Sequence, residues 1–130
     1  MVRILSMDNA LPLQGEFARA FAQEWVAAWN AHALERILEH YDDGVVLVSP
    51  VAARLVGNNG RVEGKAALRA YFERGLAAYA DLRFDLTDVL WGVETIVVCY
   101  VNNVRGGKTA EVMQMSAGGK VLRVWANYEQ

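Results

Sequence analysis

The stretch AEVMQMSAGGKVLRVW, residues 110–125, decides how this chain of 130 residues is read. Apolar and polar residues alternate on either side of an Ala-Gly-Gly interruption, the pattern of two half-buried strands joined by a tight turn. Glu111, Met113 and Met115 fall in phase. An acid in step with two methionines means either that the face is solvated at Glu111 or that Glu111 stands at the edge of an apolar cavity.

The alternation extends back through KTAEVMQMS (108–116), ETIVVCYVNNV (94–104) and LRFDLTDVLW (82–91), and forward into KVLRVWANY (120–128), with glycines between the runs. Upstream of Leu82 the period changes. Phe17, Phe21, Trp25, Ala28 and Trp29 recur at spacings of three and four, which predicts an amphipathic helix over 16–30. A shorter helix carries Leu34, Ile37, Leu38 and Tyr41 and ends at Asp42-Asp43-Gly44. A third runs over 65–78 behind Gly64, with Leu68, Tyr71, Phe72 and Leu76 on its apolar face. Between them VVLVSP (45–50) reads as a short strand stopped by Pro50, followed by a long loop containing GNNG (57–60). Three helices ahead of a meander give an α+β domain in which helices cover one face of a mainly antiparallel sheet. One domain over 16–130 is expected behind an N-terminal arm, 1–15, which lacks the continuous apolar run of a signal peptide.

Turn chemistry sets an expected register. With Gly106-Gly107 as a two-residue turn, Glu111 falls opposite Asn102, Met113 opposite Tyr100 and Met115 opposite Val98. With Ala117-Gly118 turning the next hairpin, Glu111 faces Val124 and Met113 faces Leu122. One face then collects Val98, Tyr100, Asn102, Glu111, Met113, Met115, Leu122, Val124, Ala126 and Tyr128. The other collects Val97, Cys99, Val101, Val112, Gln114, Val121, Arg123 and Trp125. On this register no lysine or arginine lies opposite Glu111, so the cavity reading is favoured and the carboxyl is expected to titrate above its ordinary value. Both faces are largely apolar, yet the helices cover only one. The uncovered face is expected to pack against a second copy, giving a homodimer.

Hydrophobic residues make up 54% of the chain and charged residues 22%, the composition of an ordered globular protein. A net charge of −2 offers no basic footprint for nucleic acid, and no apolar run is long enough to span a membrane. The single cysteine, Cys99, excludes an internal disulfide and suits the cytoplasm. Its apolar neighbours disfavour the thiolate, so it is read as a small buried hydrophobe. His32 and His40, eight apart, have no further ligands at close spacing, and no metal or other cofactor is expected. No phosphate loop, GxSxG elbow or Cys/His pair occurs.

The segments EWVAAWNAHALERILEHYDDGVVLVSP (24–50), GKAALRAYFERGL (64–76), DLRFDLTDVLWG (81–92) and AEVMQMSAGGKVLRVWANY (110–128), taken in order, resemble the SnoaL-like branch of the nuclear-transport-factor-2-like superfamily, which includes ketosteroid isomerases. That resemblance implies a cone: a curved mixed sheet wrapped round helices and one deep apolar pocket, often dimerising through the outer sheet face. It does not fix an activity, because the superfamily spans isomerases, cyclases, hydrolases, dehydratases and binders. The general-base aspartate of ketosteroid isomerases is matched here by Ser49. Their oxyanion tyrosine is matched by Trp25, and their protonated oxyanion aspartate, itself a standard illustration of a raised pKa, by Glu111. With the base absent and the tyrosine replaced, steroid isomerisation by that route is not expected. The aspartate that commonly follows the histidine of WNAH is Ala33, so Asn30 or His32 is expected to take over part of the capping of the second helix.

Two functional readings stand. In one, Glu111 performs cofactor-independent acid/base chemistry on a small apolar carbonyl or polyketide-like molecule, giving isomerisation, cyclisation or hydration. In the other, the pocket binds a hydrophobic ligand without turning it over, or the domain serves only to dimerise. For both, the expected ligand contacts are Trp25, Trp29, Tyr41, Ser49, Phe72, Tyr100, Asn102, Met113, Met115, Val124 and Tyr128, several of which plain core packing would equally explain.

Overall fold

The computed structural model describes residues 12–129; most of the arm expected over 1–15 lies outside the described residues. The part that is described is tied down. Leu13 is buried and its N–H donates to Val93 O at 3.0 Å.

The chain runs α1 (Gly15–Asn30), α2 (Leu34–Leu38), β1 (Tyr41–Val48), α3 (Pro50–Val56), β2 (Arg61–Glu63), α4 (Lys65–Ala78), β3 (Phe84–Trp91), β4 (Thr95–Asn102), β5 (Lys108–Met115) and β6 (Val121–Tyr128). The strands form one six-stranded curved sheet in the order β2-β1-β6-β5-β4-β3, antiparallel throughout except where β1 lies parallel to β6. The helices pack into one face of it, the cone of the α+β expectation. Ala18, Phe21, Ala22, Trp25, Val26, Ala28 and Trp29 of α1 are buried there, as the three-and-four spacing requires.

Four α-helices occur among the described residues rather than three. The extra one is α3. Pro50 does not merely stop a strand; it occupies the first turn of a helix whose N-cap is Ser49, and Ser49 Oγ accepts from Val51 N–H at 3.1 Å. Tyr41 belongs to β1, and Asp42-Asp43-Gly44 lies inside that strand instead of ending a helix. Helix α2 has no side-chain cap. Asn30 is used elsewhere: its amide accepts from Phe84 N–H at 2.7 Å and donates to Phe84 O at 3.0 Å, clamping the start of β3. The His32 ring likewise pairs with Leu82 O.

The register differs from the two-residue-turn expectation, with one consequence kept and one lost. Residues 103–107 make a longer connection, shaped by Asn102 Oδ1 accepting from Val104 and Arg105 N–H. Glu111 therefore faces Val98, not Asn102, and Met113 faces Ile96, not Tyr100. The slip is an even number of residues, so each side chain keeps its face, and Val98, Tyr100, Asn102, Glu111, Met113 and Met115 are all buried on the helix side. Between β5 and β6, Glu111 faces Ala126 and Met113 faces Val124, while an irregularity at Gln114/Met115 brings Val121 opposite Met115. A one-residue shift inverts a strand's faces. Val121 is accordingly buried and Leu122 only half-buried, the reverse of the expectation.

Candidate functional site

A cavity of about 510 Å³ opens beside the C-terminal end of α1, within the usual size range of small-molecule sites. Its walls come from Trp29 of α1, Leu47 of β1, α3, α4, Phe84 of β3, and the inner faces of β4, β5 and β6. Glu111 is the one carboxylate among its lining residues. It is 8% exposed and accepts a 2.6 Å hydrogen bond from the Tyr100 hydroxyl. Burial raises the Glu111 carboxyl from 4.5 to about 7, and the Tyr100 bond only partly opposes it. The group is therefore poised to change protonation near neutral pH.

Tyrosines surround it. Burial pushes the Tyr100 and Tyr41 phenols well above 10, and the Glu111 charge pushes them further. Tyr128 rises to about 12 and Tyr71 also rises, again from burial first, with Glu111 contributing. All four remain protonated donors across the physiological range. Ser49 Oγ lies 3.5 Å from Tyr128 Oη and also interacts with Tyr71. Its backbone is fixed by Gly60: Ser49 N–H donates to Gly60 O, and a Cβ on Gly60 would come within 2.7 Å of Ser49 O. GNNG thus supports the cavity wall from behind and does not line it.

Of the residues expected from sequence, Trp29, Ser49, Phe72, Tyr100, Asn102, Glu111 and Tyr128 line the cavity. Trp25, Tyr41, Met113, Met115 and Val124 are buried in the packed core and are not among its lining residues. Trp25 Nε1–H donates to Tyr41 Oη at 2.9 Å, so the indole that matched an oxyanion donor is already engaged. Asn102 is no cross-strand partner of Glu111; its carbonyl oxygen shapes the 103–107 connection.

Tyr71, Leu82 and Phe84 were not singled out as ligand contacts, nor were Arg54, Arg74 and Arg105. Tyr71 carried a signal, since a hydroxyl on the apolar face of α4 needs a partner. The arginines sit in α3, at an exposed position of α4 and in the 103–107 connection, and nothing in the periodicity brings those places together.

A curved mixed sheet with helices packed into one face, and a buried acid in the wall of the cavity beside them, is the architecture of the nuclear-transport-factor-2-like fold. The chain belongs to the SnoaL-like domain family, which matches residues 22–127. Similar in structure is a SnoaL-like protein of unknown function from Burkholderia thailandensis E264, with 34% identity and a TM-score of 0.88 over 92% of this chain and 99% of that one. An NTF2-like protein of unknown function from Burkholderia pseudomallei K96243 has 18% identity and a TM-score of 0.71, covering 87% and 91% of the two chains. TerC, co-crystallized with polyporic acid, has 17% identity and a TM-score of 0.72, covering 87% and 92%. The last two likenesses establish the fold alone. No curated protein matches the sequence.

Proposed function

We propose that this protein binds a small, mainly apolar carbonyl compound in the cavity and uses Glu111 as the acid/base group of a cofactor-independent reaction of the isomerisation, cyclisation or hydration type. The observation that carries the reading is a lone buried carboxyl, raised to about 7, bonded to Tyr100 in the wall of the cavity. As a carboxylate, Glu111 takes a proton from the carbon beside the ligand carbonyl. The C–H electron pair becomes a carbon–carbon double bond as the carbonyl π pair moves onto oxygen, giving an enolate, and Glu111 returns the proton to carbon. Tyr128 and the Asn102 amide are among the polar lining groups available to hold that oxygen.

Solvent deuterium exchange into an enolisable fused-ring ketone, followed by proton NMR, tests this without knowledge of the natural substrate. The native protein should accelerate exchange, with a rate that rises as pH passes about 7. Glu111→Gln should keep the ketone affinity and lose roughly 10²–10⁴ of the rate. Binding without accelerated exchange would leave a non-catalytic pocket, a reading that Ser49 in place of a base aspartate favours.

We infer also that the outer sheet face packs against a second copy. Val97, Val101 and Val112 lie half-buried and Trp125 exposed on that face, away from the helices. Light scattering should give twice the chain mass, and Val101→Asp should shift it to monomer or aggregate. An unchanged dimer in that variant would remove the interface from this face.

A further inference from the structure

The cavity is chemically lopsided. The whole chain has 15 acidic and 13 basic residues, yet the cavity wall carries three arginines and one acid. Arg54 of α3, Arg74 of α4 and Arg105 of the 103–107 connection are all exposed and reach the cavity from three separate elements. None of them forms an ion pair within 4.0 Å among the described residues. Arg105 is held in place by the Tyr128 ring, its guanidinium carbon 4.7 Å from the centroid. Arg54 and Arg74 both lie close enough to Tyr71 for their charges to act on its phenol. Exposed apolar side chains, Leu55, Tyr79 and Val104, stand among the same lining residues.

Resting on the pocket reading above, we propose that the ligand is an amphiphilic anion: an apolar ring system directed inward, with a carboxylate held at the exposed end by Arg54, Arg74 and Arg105. Guanidinium groups suit this task, since they are always charged and their planar fork matches a carboxylate. The charge also separates the two ends of the site. The anionic group is kept among the arginines, away from the Glu111 carboxyl, so the ligand enters with its apolar part towards the acid. A soluble acid is favoured over a lipid headgroup because the arginines line a cavity large enough to enclose an entire small molecule.

The test is calorimetry on the native protein with a matched pair of probes, anthraquinone-2-carboxylate and its methyl ester, at low salt. The acid should bind roughly tenfold more tightly than the ester, because exposed guanidinium–carboxylate pairs are individually weak and only their sum is measurable. Raising salt to about 0.5 M should erase most of the difference by screening. Arg54→Gln/Arg74→Gln/Arg105→Gln should abolish the preference, so that acid and ester bind alike, with thermal melting confirming that the variant is folded. Equal affinity for acid and ester, or a preference that survives in the triple variant, overturns the proposal while the pocket reading stands. Failure of both probes to bind overturns the pocket reading and this one together. Arginine-dependent co-sedimentation with phosphatidylglycerol vesicles, without preference for the soluble acid, overturns it in favour of a lipid-borne anion.

Discussion

The inner face of β5 is two environments in succession. At Met113 and Met115 it is filled: both are essentially inaccessible and belong to one continuous apolar core with Trp25, Tyr41, Val121 and Val124. At Glu111, two residues earlier on the same face, it is hollow and bordered by phenols. The covering helix explains the difference. The N-terminal part of α1 reaches the β5–β6 turn, where Phe17 comes close to Gly119, whereas its C-terminal Trp29 stands in the cavity wall. An acid in phase with two methionines therefore needs no local exception. The strand is regular, and what changes along it is the element packed above.

Substitutions should separate the two ends. Met113→Ala, in the filled end, should cost about 2–5 kcal/mol at any pH, measured by urea unfolding, because the site cannot collapse onto the missing atoms. Glu111→Gln should have the opposite sign, with an effect that grows from about pH 4.5 and levels off above about 7. Burial raises the folded-state pKa of Glu111 above its unfolded value, so its stabilising proton is fully held below about 4.5 and lost as pH climbs through about 7. At pH 8 the Gln variant should be more stable than the native protein by roughly 3 kcal/mol, and at pH 4 the two should agree. A difference between native protein and variant that stays constant from pH 4 to 8 would mean that the hollow end is solvated. Trp25→Phe should cost about 1–3 kcal/mol, since Tyr41 loses its buried donor. The smallest effect belongs to Tyr128→Phe. Its hydroxyl is 3.5 Å from Ser49, so unfolding should change by about 0.5 kcal/mol or less while ketone binding weakens.

The filled end was more legible from sequence than the hollow one. Periodicity reports which face a residue occupies, and it placed Met113, Met115, Val124 and Glu111 correctly on the helix side even though the β4–β5 connection is longer than two residues. An even slip leaves the faces intact. It cannot report what stands opposite, so Tyr100 as the donor to Glu111 was hidden until the register was known. The irregularity at Gln114/Met115 defeated the same logic for Val121 and Leu122. Helix α3 was missed because Ser-Pro was read as the end of a strand, although a serine cap followed by proline in the first turn is also how a helix begins. With α3 missing, Arg54 had no place in the site.

The Asn30 clamp on Phe84 bears on how this sheet ends. β3 is one border of the sheet, and its first residue presents the N–H and C=O that an added strand would use. The amide of Asn30 occupies both, as a single residue of such a strand would. At the opposite border β2 is only three residues long. One border is blocked where pairing would start and the other is too short to template it, so recruitment of a foreign chain by backbone pairing is suppressed at each.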